Sequence, residues 1–224
     1  MGRQVAVAPG AGIKDSIKRV LRFYEALGVE RLPLDLPDGS SGLKAVRARM
    51  GDCTLCKLHK GRTNIVFGEG SPSARLMFIG EGPGKDEDAK GRPFVGEAGQ
   101  LLDRLIDRMG FRREEVYIAN IVKCRPPGNR DPEDDEIEAC IGFLRQQIEA
   151  VNPEVIITLG RIAAHALLET KVPISRLRGK FERLGGILVM PTFHPAYLLR
   201  NPKDKMLVWA DAQEVLHKLG MEVG

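Results

Sequence analysis

The strongest constraint on this chain is a recurring alternation. Short runs rich in Ile, Val and Met, each about five residues long, are separated by longer segments with helical periodicity. The runs are Leu76–Gly80, Val116–Val122, Glu154–Leu159 and Ile187–Pro191. They lack a polar/apolar alternation, as expected of strands covered on both faces. Helical patterns occupy Gly99–Met109, Glu133–Val151 and Arg161–Glu169. Strand and helix in turn predict an α/β fold, a three-layer α/β/α sandwich around a mostly parallel central sheet. No internal repeat or low-complexity tract competes with that reading.

The chain has 224 residues, 43% of them hydrophobic and 29% charged, enough for one generous core without a disulfide scaffold. The net charge of +4 permits a polyanionic partner without demanding one. No apolar run reaches the length of a membrane span, and Val5–Ala8 is too short for a signal core. The expectation is a cytoplasmic protein with no membrane association, where thiols stay reduced.

Residues 1–42 read as an accessory arm. Ile17, Val20, Leu21, Tyr24 and Leu27 fall at helical spacing within Ile13–Gly28, and a Pro- and Gly-containing linker runs from Arg31 to Gly42. The remainder, 43–224, forms the main domain.

Ligands of parallel α/β sheets bind beyond the carboxyl ends of the strands. Here those ends carry the unusual segments: Gly80-Glu-Gly-Pro-Gly84, Asn120 followed by Cys124-Arg-Pro-Pro-Gly128, and Phe193-His-Pro-Ala-Tyr197. The first is not a dinucleotide or triphosphate loop: its glycine spacing is wrong, Pro83 removes an amide donor, and no Gly-Lys-Ser/Thr follows. It offers backbone amides beside one acid, Glu81, suited to a small polar ligand or a water.

Cys53 and Cys56 form a C-x2-C pair, and Cys124 and Cys140 lie far downstream. Two thiolates from a tight turn plus two distant ones build a metal site. Lys57, His59, Lys60 and Arg62 supply compensating charge. Spacing alone leaves zinc and an iron–sulfur centre both open.

Four ordered motifs then coincide. After the C-x2-C pair come Glu81-Gly-Pro-Gly-Lys-Asp-Glu-Asp88 with Gly91-Arg-Pro-Phe-Val-Gly-Glu-Ala-Gly-Gln-Leu-Leu102. Tyr117-Ile-Ala-Asn-Ile-Val-Lys-Cys-Arg-Pro-Pro127 and His194-Pro-Ala-Tyr-Leu-Leu-Arg-Asn-Pro202 follow. Together, over about 43–219, they resemble the family 4 uracil-DNA glycosylases. The resemblance implies a 4Fe–4S cluster on Cys53, Cys56, Cys124 and Cys140, with zinc as the lesser alternative. It also implies base excision repair: hydrolysis of the N-glycosidic bond of uracil in single- or double-stranded DNA, by a monomer, with base flipping.

The resemblance carries roles onto particular residues. Phe94 matches the stacking aromatic. Asn120 matches the amide that separates uracil from cytosine by donor and acceptor polarity. His194 matches the catalytic histidine that donates to uracil O2. Glu81 is expected to position or activate water, with backbone atoms of Gly82 and Pro83 sharing in it. The best-known relatives carry an aspartate where this chain has Gly82, a departure shared with family 4. Glu87 is placed near the ring edge where thymine carries its methyl, with a solvated acid as the competing reading.

For DNA contact, Tyr197, Leu198 and Arg200 are expected to wedge into the vacated stack and to meet phosphate. Lys123, Arg125, Arg130 and the basic run Arg176–Arg183 are further phosphate candidates. His59, His165 and His217 read as structural. The stretch Arg125 to Cys140 contains no histidine, so no covalent trapping of the abasic sugar is expected. Two readings compete: a non-catalytic iron–sulfur DNA-binding or polymerase-associated protein on this fold, and a zinc-stabilised nucleotide hydrolase.

Overall fold

A computed structural model describes residues 39–222. The helix expected within Ile13–Gly28 lies outside the described residues. The first described helix, α1, spans Gly39–Met50 and so begins inside the segment read as linker. Its Gly-Ser-Ser-Gly start has low helix propensity, and packing of Leu43 and Val46 overrides it.

Six strands form one sheet: β1 (Glu69–Gly70), β2 (Leu76–Gly80), β3 (Tyr117–Asn120), β4 (Val155–Leu159), β5 (Glu182–Leu184) and β6 (Ile187–Thr192). Their order is β1-β3-β2-β4-β6-β5. The pairs β2–β3, β2–β4 and β4–β6 are parallel, while the edge strands β1 and β5 pair antiparallel. The four expected apolar runs are the four parallel strands. The second is shorter than Val116–Val122, because after Asn120 the chain turns to follow the loop beyond β2: Val122 N–H donates to Glu81 O at 3.1 Å.

Every residue of β2 and β4 is buried, which explains the missing alternation. Within β2, Leu76 and Phe78 face one layer and Met77 and Ile79 the other. The first layer is α3 (Glu97–Arg108) with α8 (Lys205–Lys218), through Leu102, Ile106, Trp209 and Val215. The second contains α1, α4 (Asp134–Val151) and α5 (Arg161–Leu168), through Leu43, Leu144, Ile148 and Ala163. Each large apolar side chain buried this way contributes about 1.5–3 kcal/mol, so Phe78→Ala at 0% exposure should cost about 3–5 kcal/mol.

Three short α-helices, α2 (Lys85–Lys90), α6 (Ile174–Leu177) and α7 (Pro195–Arg200), and four 3₁₀ turns complete the described chain. The basic run Arg176–Arg183 is not one phosphate-facing loop. It contains the end of α6 and the start of β5, and Arg178 is committed to the buried Asp211 carboxylate and to Leu207 O. No described helix is long and apolar enough to cross a membrane.

The parallel strands all end on one side of the sheet. The connection leaving β2 runs to β3, and that leaving β4 runs to β6 on the opposite flank. The crevice therefore opens beyond the β2 and β4 ends, where the order reverses.

Candidate active site

A cavity of about 630 Å³ lies beyond those ends. Its wall takes Glu81–Gly84 from the loop after β2, Lys85–Glu87 from the start of α2, Phe94 and Gly96–Ala98, Asn120 at the end of β3, and His194, Tyr197 and Arg200 after β6. Phe94, Asn120 and His194 thus line one space, although they are far apart in sequence. Gly82 and Pro83 line it too.

Glycine at the end of β2 makes this possible. A Cβ on Gly80 would sit 2.4 Å from Asn120 Oδ1 and 2.5 Å from Phe94 Cζ. Phe94 is held at φ 51°, a left-handed conformation costly for an aromatic residue. Close backbone approach over-determines it: a Cβ on Gly99 would fall 2.1 Å from Phe94 O. The Phe94 and His194 ring centroids lie 5.7 Å apart, inclined by 32°.

Glu87 is neither a free solvated acid nor an open contact. Its Oε1 accepts the Val95 and Gly96 amides at 2.9 and 3.0 Å, and its Oε2 accepts Gly84 N–H at 3.1 Å. The carboxylate ties the loop after β2 to the loop that carries Phe94, while still facing the cavity.

Asn120 is 1% exposed, yet its Oδ1 has no hydrogen-bond partner. An orphaned buried acceptor costs about 1–3 kcal/mol. In a cavity wall it marks a place where a donor on a ligand would sit.

His194 caps α7: its Nδ1 accepts the Ala196 N–H at 3.1 Å. Burial first, then Arg200, pulls its pKa down to about 4, with Glu87 opposing. The ring is therefore neutral near pH 7, and because Nδ1 accepts, Nε2 carries the proton. A Cβ on Gly160 would lie 2.9 Å from His194 Cβ, so glycine there admits the ring.

Glu81 is pushed up to about 7, chiefly by burial and then by Asp131, with Arg161 opposing. Asp131 and Arg161 form an ion pair with each other. A carboxyl poised near neutrality in a cleft suits proton transfer.

The expected DNA contacts divide. Tyr197 and Arg200 line the cavity, the Tyr197 hydroxyl donating to Asp204 at 2.7 Å. Leu198 does not: it is 4% exposed, in a separate apolar pocket with Leu102 and Trp209. Leu199 is the outward leucine, at 38%. Lys123 is likewise no phosphate contact. It is 1% exposed, and its Nζ donates to Asn120 O at 2.8 Å and Gln147 Oε1 at 2.6 Å. Burial lowers its pKa to about 8, Cys140 opposing. Arg130 reaches the cavity but grips Glu136 in a two-pronged ion pair at 2.7 and 2.8 Å. Arg125 Nε donates to Asn129 Oδ1.

A second cavity gathers Cys53, Cys56, Cys124 and Cys140, all free thiols. Burial pushes the Cys56 and Cys124 thiols up, and Cys140 up to about 11. The surrounding donors are committed. Arg62 reaches Cys124 Sγ at 3.4 Å and pairs with Asp52, Lys57 pairs with Glu133 and Asp135, and His59 Nδ1–H donates to Cys56 O at 2.7 Å. Among the described residues, no three Cys, His, Asp or Glu side chains close around a single ion. His165 Nε2 meets Val172 O at 2.7 Å, a structural contact.

Comparison with known proteins adds to this geometry. The family model of the uracil DNA glycosylase superfamily matches residues 67–214. A type-4 uracil-DNA glycosylase of Thermotoga maritima is 51% identical over 166 residues, covering 73% of this chain and 86% of that protein. One of Saccharolobus solfataricus is 49% identical over 176 residues, covering 75% and 82%. One of Sulfurisphaera tokodaii is 43% identical over 182 residues, covering 77% and 83%.

Proposed function

The chain belongs to the type-4 uracil-DNA glycosylases, and from that premise we propose how its residues release uracil from DNA as free base, leaving an abasic site. The single observation that carries the reading is the orphaned Asn120 Oδ1 in a cavity shared with Phe94 and His194. Uracil flipped from the stack lies against Phe94, a contact worth about 1–3 kcal/mol. Its N3–H donates to Asn120 Oδ1, and its O4 accepts from the Asn120 amide. Cytosine presents the opposite polarity at both positions and leaves buried groups unpaired. Glu87 fixes the Phe94 loop at the ring edge where thymine carries its methyl.

As the C1′–N1 bond breaks, its electron pair moves onto uracil N1 and O2. His194 Nε2–H donates to O2, a preorganised neutral donor aimed at developing charge. Water adds to C1′, and the Glu81 carboxylate takes its proton, beside backbone atoms of Gly82 and Pro83. Tyr197 and Arg200, which line the cavity, and the exposed Leu199 between them in sequence meet DNA. Leu199 replaces Leu198 as the apolar wedge.

A 4Fe–4S cluster is favoured over zinc here: four thiols line one cavity, and among the described residues no three donors close on a single point, as a zinc ion with sulfurs about 2.3 Å away requires. Cys53, Cys56, Cys124 and Cys140 would hold the cluster, and bound there it supplies a covalent tie between the Cys53 turn, the segment after β3 and α4. Arg62 would offset thiolate charge.

The test is excision from matched oligonucleotides carrying uracil, thymine or cytosine. Release of uracil alone is expected; failure to release uracil from a folded protein with its metal bound would overturn the reading and favour a non-catalytic binding role.

A further inference from the structure

Lys123 lines the cysteine cavity, hydrogen-bonds the backbone of Asn120 in the base cavity, and has no role in the chemistry above. It is among the largest fully buried side chains. Among the described residues no carboxylate pairs with its ammonium, which instead donates to Asn120 O at 2.8 Å and to Gln147 Oε1 at 2.6 Å. Its hydrogen bonds all go to neutral oxygens, and Cys140 of the cysteine cavity is the one group that favours its charge, so its burial is costly.

The surroundings show what the arrangement does. Gln147, on α4, uses its amide nitrogen on Phe67 O at 2.9 Å and on the Tyr117 hydroxyl at 3.1 Å. Tyr117 begins β3 and Asn120 ends it. Gln147 on α4 therefore meets the start of this four-residue strand directly, at Tyr117, and its end through Lys123, three residues beyond Asn120 on the same segment. The Lys123 peptide is itself fixed, its carbonyl accepting Val66 N–H at 2.8 Å. The side chain of Asn120 lines the base cavity, and its buried Oδ1 has no partner.

We infer that Lys123 is a positioning residue for base recognition: through the Asn120 carbonyl and Gln147, it fixes the carboxyl end of β3 so that Asn120 Oδ1 meets the N3–H of the flipped base. This rests on the reading of Asn120 as the base-reading amide. A misplacement of about 1 Å at such a group suffices to cost rate, which justifies a clamp of this stiffness.

The experiment is a double-mutant cycle in single-turnover uracil release, with free-uracil affinity measured alongside. Lys123→Met alone should slow release about tenfold, within the coupling expected of residues in contact. It should weaken free-uracil binding by a similar factor. In an Asn120→Ala background the same substitution should cost about twofold or less, because the group it positions is gone. Gln147→Leu should show the same pattern with a smaller loss, and it carries the test if Lys123→Met does not fold. Equal losses with and without Asn120 would make Lys123 a general structural residue and overturn the proposal. So would full activity of both variants. An Asn120→Ala protein releasing uracil at the unsubstituted rate would instead sink the parent reading, whatever Lys123 does.

Discussion

The base cavity and the cysteine cavity are reached from residues only four positions apart, Asn120 and Cys124, yet they are finished in opposite ways. In the base cavity an acceptor is left unpaired, an aromatic residue sits at φ 51°, and a carboxyl titrates near neutrality. In the cysteine cavity the polar neighbours are tied off by Arg62, Lys57 and His59. A site emptied at every turnover keeps its hydrogen-bonding capacity unspent. A site proposed to hold a resident group is instead ringed by fixed charge. Local strain and unsatisfied atoms, rather than concavity alone, distinguish the first from the second.

Asn120→Ala and His194→Ala should each lower uracil release about 10²- to 10³-fold, with iron content and visible absorbance unchanged. A loss of absorbance would show that the two cavities are not separable. Cys124→Ala should do the reverse, losing iron and thermal stability together because metal binding is coupled to folding. Metal analysis with a melting curve checks it.

Leu198→Ala should cost about 2–5 kcal/mol of stability through the void it leaves. Leu199→Ala should leave the melting temperature in place and lower excision from duplex DNA about threefold, less from single strands.

The pH dependence follows from two shifted groups. Glu81 holds its proton up to about 7 when folded against an ordinary 4.5, so its ionisation opposes folding increasingly as pH rises from about 4.5 to about 7. Glu81→Gln should therefore raise the melting temperature at pH 8 and leave it nearly unchanged at pH 4. Excision by the unsubstituted protein should rise through pH 7 as the carboxylate forms. His194, pulled down to about 4, stays neutral throughout that range and adds no second inflection above pH 5.

Much of this arrangement is legible in sequence, for identifiable reasons. Leu76–Gly80 is a strand at the expected limits because an unbroken apolar run bounded by Ala74-Arg75 and a glycine loop has few alternatives. The meeting of Asn120 and His194 follows from parallel strands ending on one side, whereas Phe94, in the loop between α2 and α3, is brought in by close approach at Gly80 and Gly99. The edge strands β1 and β5 are two and three residues long and polar, defined by their partners rather than by a pattern of their own. Which of two adjacent leucines faces outward on the six-residue α7 depends on packing against α3 and α8, which spacing does not encode. Lys123 reads as a phosphate contact because lysine beside arginine is most often exposed. Its burial is set by Gln147, 24 positions away.

The most direct measurement of the central claim is single-turnover excision by Asn120→Ala and the unsubstituted protein on one oligonucleotide series. The account predicts that the unsubstituted protein acts on uracil only and that removing the amide abolishes most of that rate. Undiminished release by the variant, or comparable release of cytosine by the unsubstituted protein, would contradict it.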